Sequence, residues 1–102
     1  MSDTNLDQSQ FQPDSKLNEW MRDIRRTIHR YPELANEENR TQRFICEKLD
    51  ELNIPFRTEG LHTGIVATIR PSASNDSDEI PCVALRADMD ALPVNEKTGL
   101  SF

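Results

Sequence analysis

The chain has 102 residues, 35% of them hydrophobic and 29% charged, and it carries a net charge of −6. That length allows one small domain at most, and the acidic balance argues against recruiting nucleic acid or an anionic membrane through the overall field. Cys46 and Cys82 have no Cys-x-x-Cys neighbour, so neither a redox motif nor a zinc knuckle is indicated. Each reads as a small buried apolar residue of a reduced, cytoplasmic protein. No stretch approaches the ~20 apolar residues of a bilayer span, and the first ten residues lack a basic-then-apolar leader pattern.

Residues 1–14 are polar and predict a disordered tail, because they offer too little apolar surface to offset the entropy of ordering. An amphipathic helix is predicted from Ser15 to about His29, capped by Asp14 or Ser15. Leu17, Trp20, Met21, Ile24 and Ile28 form its apolar stripe. Arg22, Arg26 and Arg30 form an i, i+4 row that reads as a solvated face, since Glu19 and Asp23 interrupt it and no aromatics alternate with it. Pro32 ends the helix by pushing Tyr31 out of the helical region. A second helix is predicted from near Asn36, with Asn36 as cap and Glu37 and Glu38 in the first turn. Thr41, Phe44, Ile45, Lys48, Leu49 and Leu52 trace its inward stripe, and Asn53 is the predicted left-handed residue after it. A short strand in 55–59, a turn between Gly60 and Gly64 holding an exposed His62, a strand at 65–69 and a polar loop at 71–80 follow. His29 sits where an imidazole suits the helix C-terminus. Neither histidine has metal-ligand spacing.

The stretch Val83-Ala84-Leu85-Arg86-Ala87-Asp88-Met89-Asp90-Ala91-Leu92-Pro93 is the informative one. Its β-branched and small residues predict a buried strand, and period-two alternation puts Arg86, Asp88 and Asp90 on one face. Carboxylates at the end of a core strand are a common place for chemistry. The structural alternative is that Arg86 pairs with Asp88 and Asp90 caps the following turn. Pro93 ends regular pairing, and residues 95–99 read as a turn.

Several runs in order carry a resemblance. They are Arg25-Arg26-x-Ile28-His29-x-x-Pro32-Glu33-Leu34, then Glu38 and Thr41, Thr63-Gly64-Ile65-Val66-Ala67, Ala84 to Pro93, and Glu96 with Thr98-Gly99-Leu100. Together these resemble the amidohydrolase branch of the metal-dependent carboxypeptidase and aminoacylase family, over residues 15–102. The resemblance implies an N-terminal portion of a zinc-peptidase-like catalytic domain, α/β in class, with two helices packed on a short mixed sheet. It implies hydrolysis of the amide bond of N-acyl amino acids at two divalent metal ions, zinc or manganese, by a protein that is often a homodimer through a further domain. It also implies a role for Asp90 in orienting a metal ligand, because Asp88-x-Asp90-x-x-Pro93 matches the family's His-x-Asp-x-x-Pro pattern, with Asp88 in the histidine's place. Asp88 and Arg86 are supporting residues. The family's later His-Ala-Cys-Gly-His-Asp run, its Glu-Glu pair and its general base have no counterpart in these residues. The expectation is therefore a truncated chain that binds no metal and turns over no substrate alone. Two other readings stand beside it. One is a non-catalytic remnant or interaction module. The other is a phosphatase with Asp88 as nucleophile and Asp90 as acid/base, which Leu92 and the late position of the strand disfavour.

Overall fold

The computed structural model describes residues 14–70 and 81–102. The predicted loop at 71–80, and all of the predicted tail except Asp14, lie outside the described residues. The chain divides into two units, one holding the first helix with Leu100–Phe102 and the other Pro32–Gly99.

In the first unit, α1 runs Ser15–Arg30. Asp14 is its cap: the Leu17 N–H donates to Asp14 Oδ1 at 2.7 Å, satisfying one of the amides that a helix start leaves without an intrahelical partner. Trp20, Ile24 and Ile28 are half-buried, whereas Leu17 and Met21 are exposed, so the apolar stripe is narrower than the sequence predicts. The arginine row is exposed, as expected of a solvated face, but two of its members have partners. The Arg26 guanidinium lies 4.3 Å from the Phe102 ring centroid, and Arg30 donates to the Ser101 carbonyl. The His29 and Phe102 rings are tilted with centroids 6.0 Å apart.

In the second unit, α2 runs Asn39–Glu51 and not from Asn36. Asn36 takes φ 66° in a turn closed by the Glu37 N–H on the Leu34 carbonyl at 2.9 Å. Asparagine tolerates that left-handed position better than most residues, so it serves the turn and is lost as a cap. Glu38 becomes the residue before the helix and makes no side-chain cap bond. The far end follows expectation. Asn53 has φ 57°, its N–H donates to Asp50 O at 3.0 Å, and the Ile54 N–H donates to Leu49 O at 2.9 Å. This is the double bond pattern of a Schellman motif. On the inward stripe Thr41 is buried and Phe44, Ile45, Lys48 and Leu49 are half-buried, while Leu52 is exposed. Lys48 Nζ lies 5.3 Å from the Phe44 ring centroid and 3.4 Å from Glu51, so its stem covers apolar surface while its charge stays wet.

β1 (Phe56–Arg57) and β2 (Val66–Ala67) pair antiparallel, Phe56 opposite Ala67 and Arg57 opposite Val66. The sheet is thus a two-stranded antiparallel hairpin, not a mixed sheet. Gly60 at φ 72° and His62 at φ 55° turn the chain twice in succession, closed by Leu61 N–H to Thr58 O (3.1 Å) and Gly64 N–H to Leu61 O (2.7 Å). The helix-plus-sheet class holds; among the described residues no hydrophobic side chain is buried, and the buried ones are Thr41 and Thr63, each 4% exposed.

The predicted buried strand at 83–92 does not form. Leu85 is 97% and Val83 85% exposed, and the segment pairs with no strand among the described residues. A strand needs a partner for its amides and carbonyls, and β propensity does not supply one. Pro93 lies at the centre of a tight turn in which the Val94 N–H donates to Leu92 O at 2.8 Å; with no strand before it, there is no pairing for it to end. Cys82 is exposed, contrary to the buried reading, and Cys46 is half-buried; both are free thiols.

Candidate functional site

The three residues singled out by sequence sit on the open segment. Arg86 Nε lies 3.3 Å from Asp88 Oδ1, with the two side chains 91% and 72% exposed. This is the structural pairing anticipated for them, and an ion pair so exposed contributes little to stability. Asp90 is exposed too, between half-buried Met89 and Ala91. Two open depressions of about 470 and 480 Å³ lie along α1 and at the foot of the hairpin, and neither is lined by Asp88 or Asp90.

What the structure adds is the anchorage of this segment. The Ala91 N–H donates to the Glu33 carbonyl at 2.8 Å. The Glu33 carboxylate in turn supplies the cap that Glu38 does not. Its Oε2 accepts from the Arg40 N–H at 3.1 Å, and its Oε1 accepts from the Thr41 N–H at 2.6 Å and the Thr41 hydroxyl at 2.7 Å. An acid at a helix N-terminus also suits the dipole. Burial pushes the Glu33 carboxyl up. The Thr41 hydroxyl, the Thr41 and Arg40 amides and the Arg40 charge outweigh that, and the net shift is below the ordinary carboxylate value.

Further bonds join this cap to the hairpin. Gln42 Nε2 donates to the carbonyls of His62 (3.2 Å) and Gly64 (3.0 Å). His62 Nε2 lies 3.2 Å from the Asn36 carbonyl, so the exposed turn histidine is a tie between two turns. Burial, then the nearby Asp50 charge, pushes the Cys46 thiol up, which keeps it a poor nucleophile. Sequence reasoning placed Glu33 within the resemblance but gave it no cap role. The usual capping patterns look three residues along the chain, whereas Glu33 reaches seven and eight.

The donor set does not by itself fit a metal ion. Among the described residues no three His, Cys, Asp or Glu side chains converge, and Asp88 is already engaged by Arg86. Catalytic metal sites ordinarily take three protein ligands. No helix among the described residues is long and apolar enough to cross a membrane.

Comparison with known proteins gives a consistent set of relatives. The chain is 46% identical over 88 residues to N-acetyl-L-cysteine deacetylase of Bacillus subtilis, covering 86% of this chain and 20% of that protein. It is 43% identical over 88 residues to thermostable carboxypeptidase 1 of Saccharolobus solfataricus, covering 85% and 21%. It is 46% identical over 86 residues to IAA-amino acid hydrolase ILR1-like 6 of Arabidopsis thaliana, covering 84% and 17%. The chain therefore spans about a fifth of the length of these relatives. No family model matches it, and no solved structure does.

Proposed function

We propose, from the premise that this chain is homologous to an N-terminal part of the amidohydrolase and carboxypeptidase family of its relatives, that it supplies residues 15–102 of a zinc-peptidase-like domain hydrolysing the amide bond of N-acyl amino acids. The carrying observation is the similarity to a deacetylase, a carboxypeptidase and an amino acid hydrolase at 43–46% identity over most of the chain. It supports the resemblance read from the motifs.

In this reading Asp90 orients a metal ligand contributed by the rest of the domain, and Arg86 and Asp88 set the charge beside it. Two divalent ions, zinc or manganese, belong to the whole domain, because the carboxylates here fall short of a ligand set. An acidic composition and two free thiols support a cytosolic setting, and dimerisation through a further domain belongs to the same reading.

The test is a hybrid enzyme in which this chain replaces the matching 88 residues of the Bacillus subtilis deacetylase. The hybrid is expected to release acetate from N-acetyl-L-cysteine, and Asp90→Asn to lower its turnover about 10- to 100-fold, the usual effect of removing a residue that holds a metal ligand. Full activity in the Asp90→Asn hybrid would remove Asp90 from the site. A folded hybrid without hydrolysis would count against the family activity for this chain.

A further inference from the structure

We propose that Glu33 is the positioning residue for Asp90: its carboxylate seats the segment after α1 on the N-terminus of α2, and its carbonyl holds the Asp90–Ala91 peptide. The proposal rests on the reading of Asp90 given above, but its geometry is independent of it. The Ala91 N–H belongs to the peptide unit that begins at Asp90. That unit is planar, so the 2.8 Å bond to Glu33 O orients its N–H and thereby constrains the backbone leaving Asp90. The Asp90 side chain leaves the chain at the Cα that opens this peptide unit, so the bond limits where that carboxylate can project.

Val83 and Leu85 are almost fully exposed, while Met89 and Ala91, on either side of Asp90, are half-buried. The point of attachment thus coincides with Asp90. A single backbone bond between two loops is weak if its acceptor wanders, since ordering a residue costs about 1–2 kcal/mol. The Glu33 side chain is tied down. Three donors of one helix turn, the Arg40 and Thr41 amides and the Thr41 hydroxyl, converge on its carboxylate, and Thr41 is buried at 4% exposure. One residue therefore couples the buried Thr41 of α2 to an exposed carboxylate 57 positions further along the chain. The side chain provides the anchor and the main chain provides the hold.

The experiment is site-resolved amide exchange on the 102-residue chain. In the natural sequence the Ala91 amide is expected to exchange about tenfold more slowly than the Asp90 and Leu92 amides, as one net hydrogen bond allows. Glu33→Ala is expected to bring Ala91 to the rate of its neighbours and to deprotect Thr41 together with it. Glu33→Gln keeps an acceptor oxygen for the Thr41 amide and is expected to restore most of the Ala91 protection. A general loosening of the fold would not show that rescue. An Ala91 amide as fast as its neighbours in the natural sequence would overturn the proposal, as would one still slow in Glu33→Ala. Asp90→Asn in the hybrid separates the two ideas. If Ala91 depends on Glu33 while Asp90→Asn leaves turnover intact, the link stands and the reading of the site fails. If Asp90→Asn abolishes turnover while Glu33→Ala changes neither Ala91 exchange nor turnover, the site stands and the link fails.

Discussion

The second unit contains two regions of different composition and opposite outcomes. Between Glu33 and Ala67, short polar side chains and turn residues satisfy one another: Glu33 caps α2, Gln42 holds the hairpin loop, and His62 reaches the Asn36 carbonyl. Between Val83 and Val94, a more apolar and more β-prone stretch forms no strand and is exposed except at half-buried Met89 and Ala91, with the Ala91 N–H bonded to the Glu33 carbonyl. The difference teaches that a few side-chain hydrogen bonds between turns are enough to tie a helix start to a hairpin, whereas a strand depends on an edge that another strand must provide.

The largest break in this comparison should come from Glu33→Ala. It leaves two α2 amides and the buried Thr41 hydroxyl without their acceptor, at a cost of about 1–3 kcal/mol, read as loss of helix in a urea titration followed by far-UV circular dichroism. Leu85→Ser, in the open region, is expected to shift the same titration by less than about 0.5 kcal/mol, because that side chain already faces water. A large effect of Leu85→Ser would mean that the segment is packed in solution after all.

Acid sharpens the contrast next. The folded-state value of the Glu33 carboxyl is depressed, so its contribution is fully present above the ordinary carboxylate value and is lost as pH falls through the folded value. Thr41 amide protection should fall along that acid limb, and Glu33→Gln should flatten it.

Smaller effects follow at the turns and on the surface. Asn53→Gly should stabilise α2 by a few tenths of a kcal/mol up to about 1 kcal/mol, since glycine takes φ 57° without a Cβ penalty, and Asn53→Val should lower the melting temperature. The smallest effect is expected for Asp88→Asn, within about 0.5 kcal/mol, because it removes only an exposed ion pair with Arg86. A clear loss of stability there would show that the pair is less solvated than its geometry indicates.

Several short-range features of the sequence foretold the structure. Asp14 before an amphipathic run, Pro32 after Tyr31, Asn53 before Ile54, and glycines around His62 each act on their own few residues, and each behaves as its chemistry requires. The family resemblance was legible for a related reason: its motifs are strings of letters that survive without a folded context. Asp88, Asp90 and Arg86 could be picked out as a candidate site from letters alone, and the Arg86–Asp88 pair from their spacing.

Tertiary structure decided what depends on partners distant in the chain. Asn36 could have capped α2, but a turn took its left-handed backbone and Glu33 took the cap from outside the helix. No local rule connects Glu33 to Thr41, and none connects it to Ala91. The stretch 83–92 has every local mark of a buried strand, yet burial and pairing are properties of neighbours and not of the residues themselves. Composition and pattern therefore determined which segments could become helix, turn or strand. The long-range hydrogen bonds decided which of them did, because an amide or carbonyl is satisfied only by the group that the fold actually brings to it.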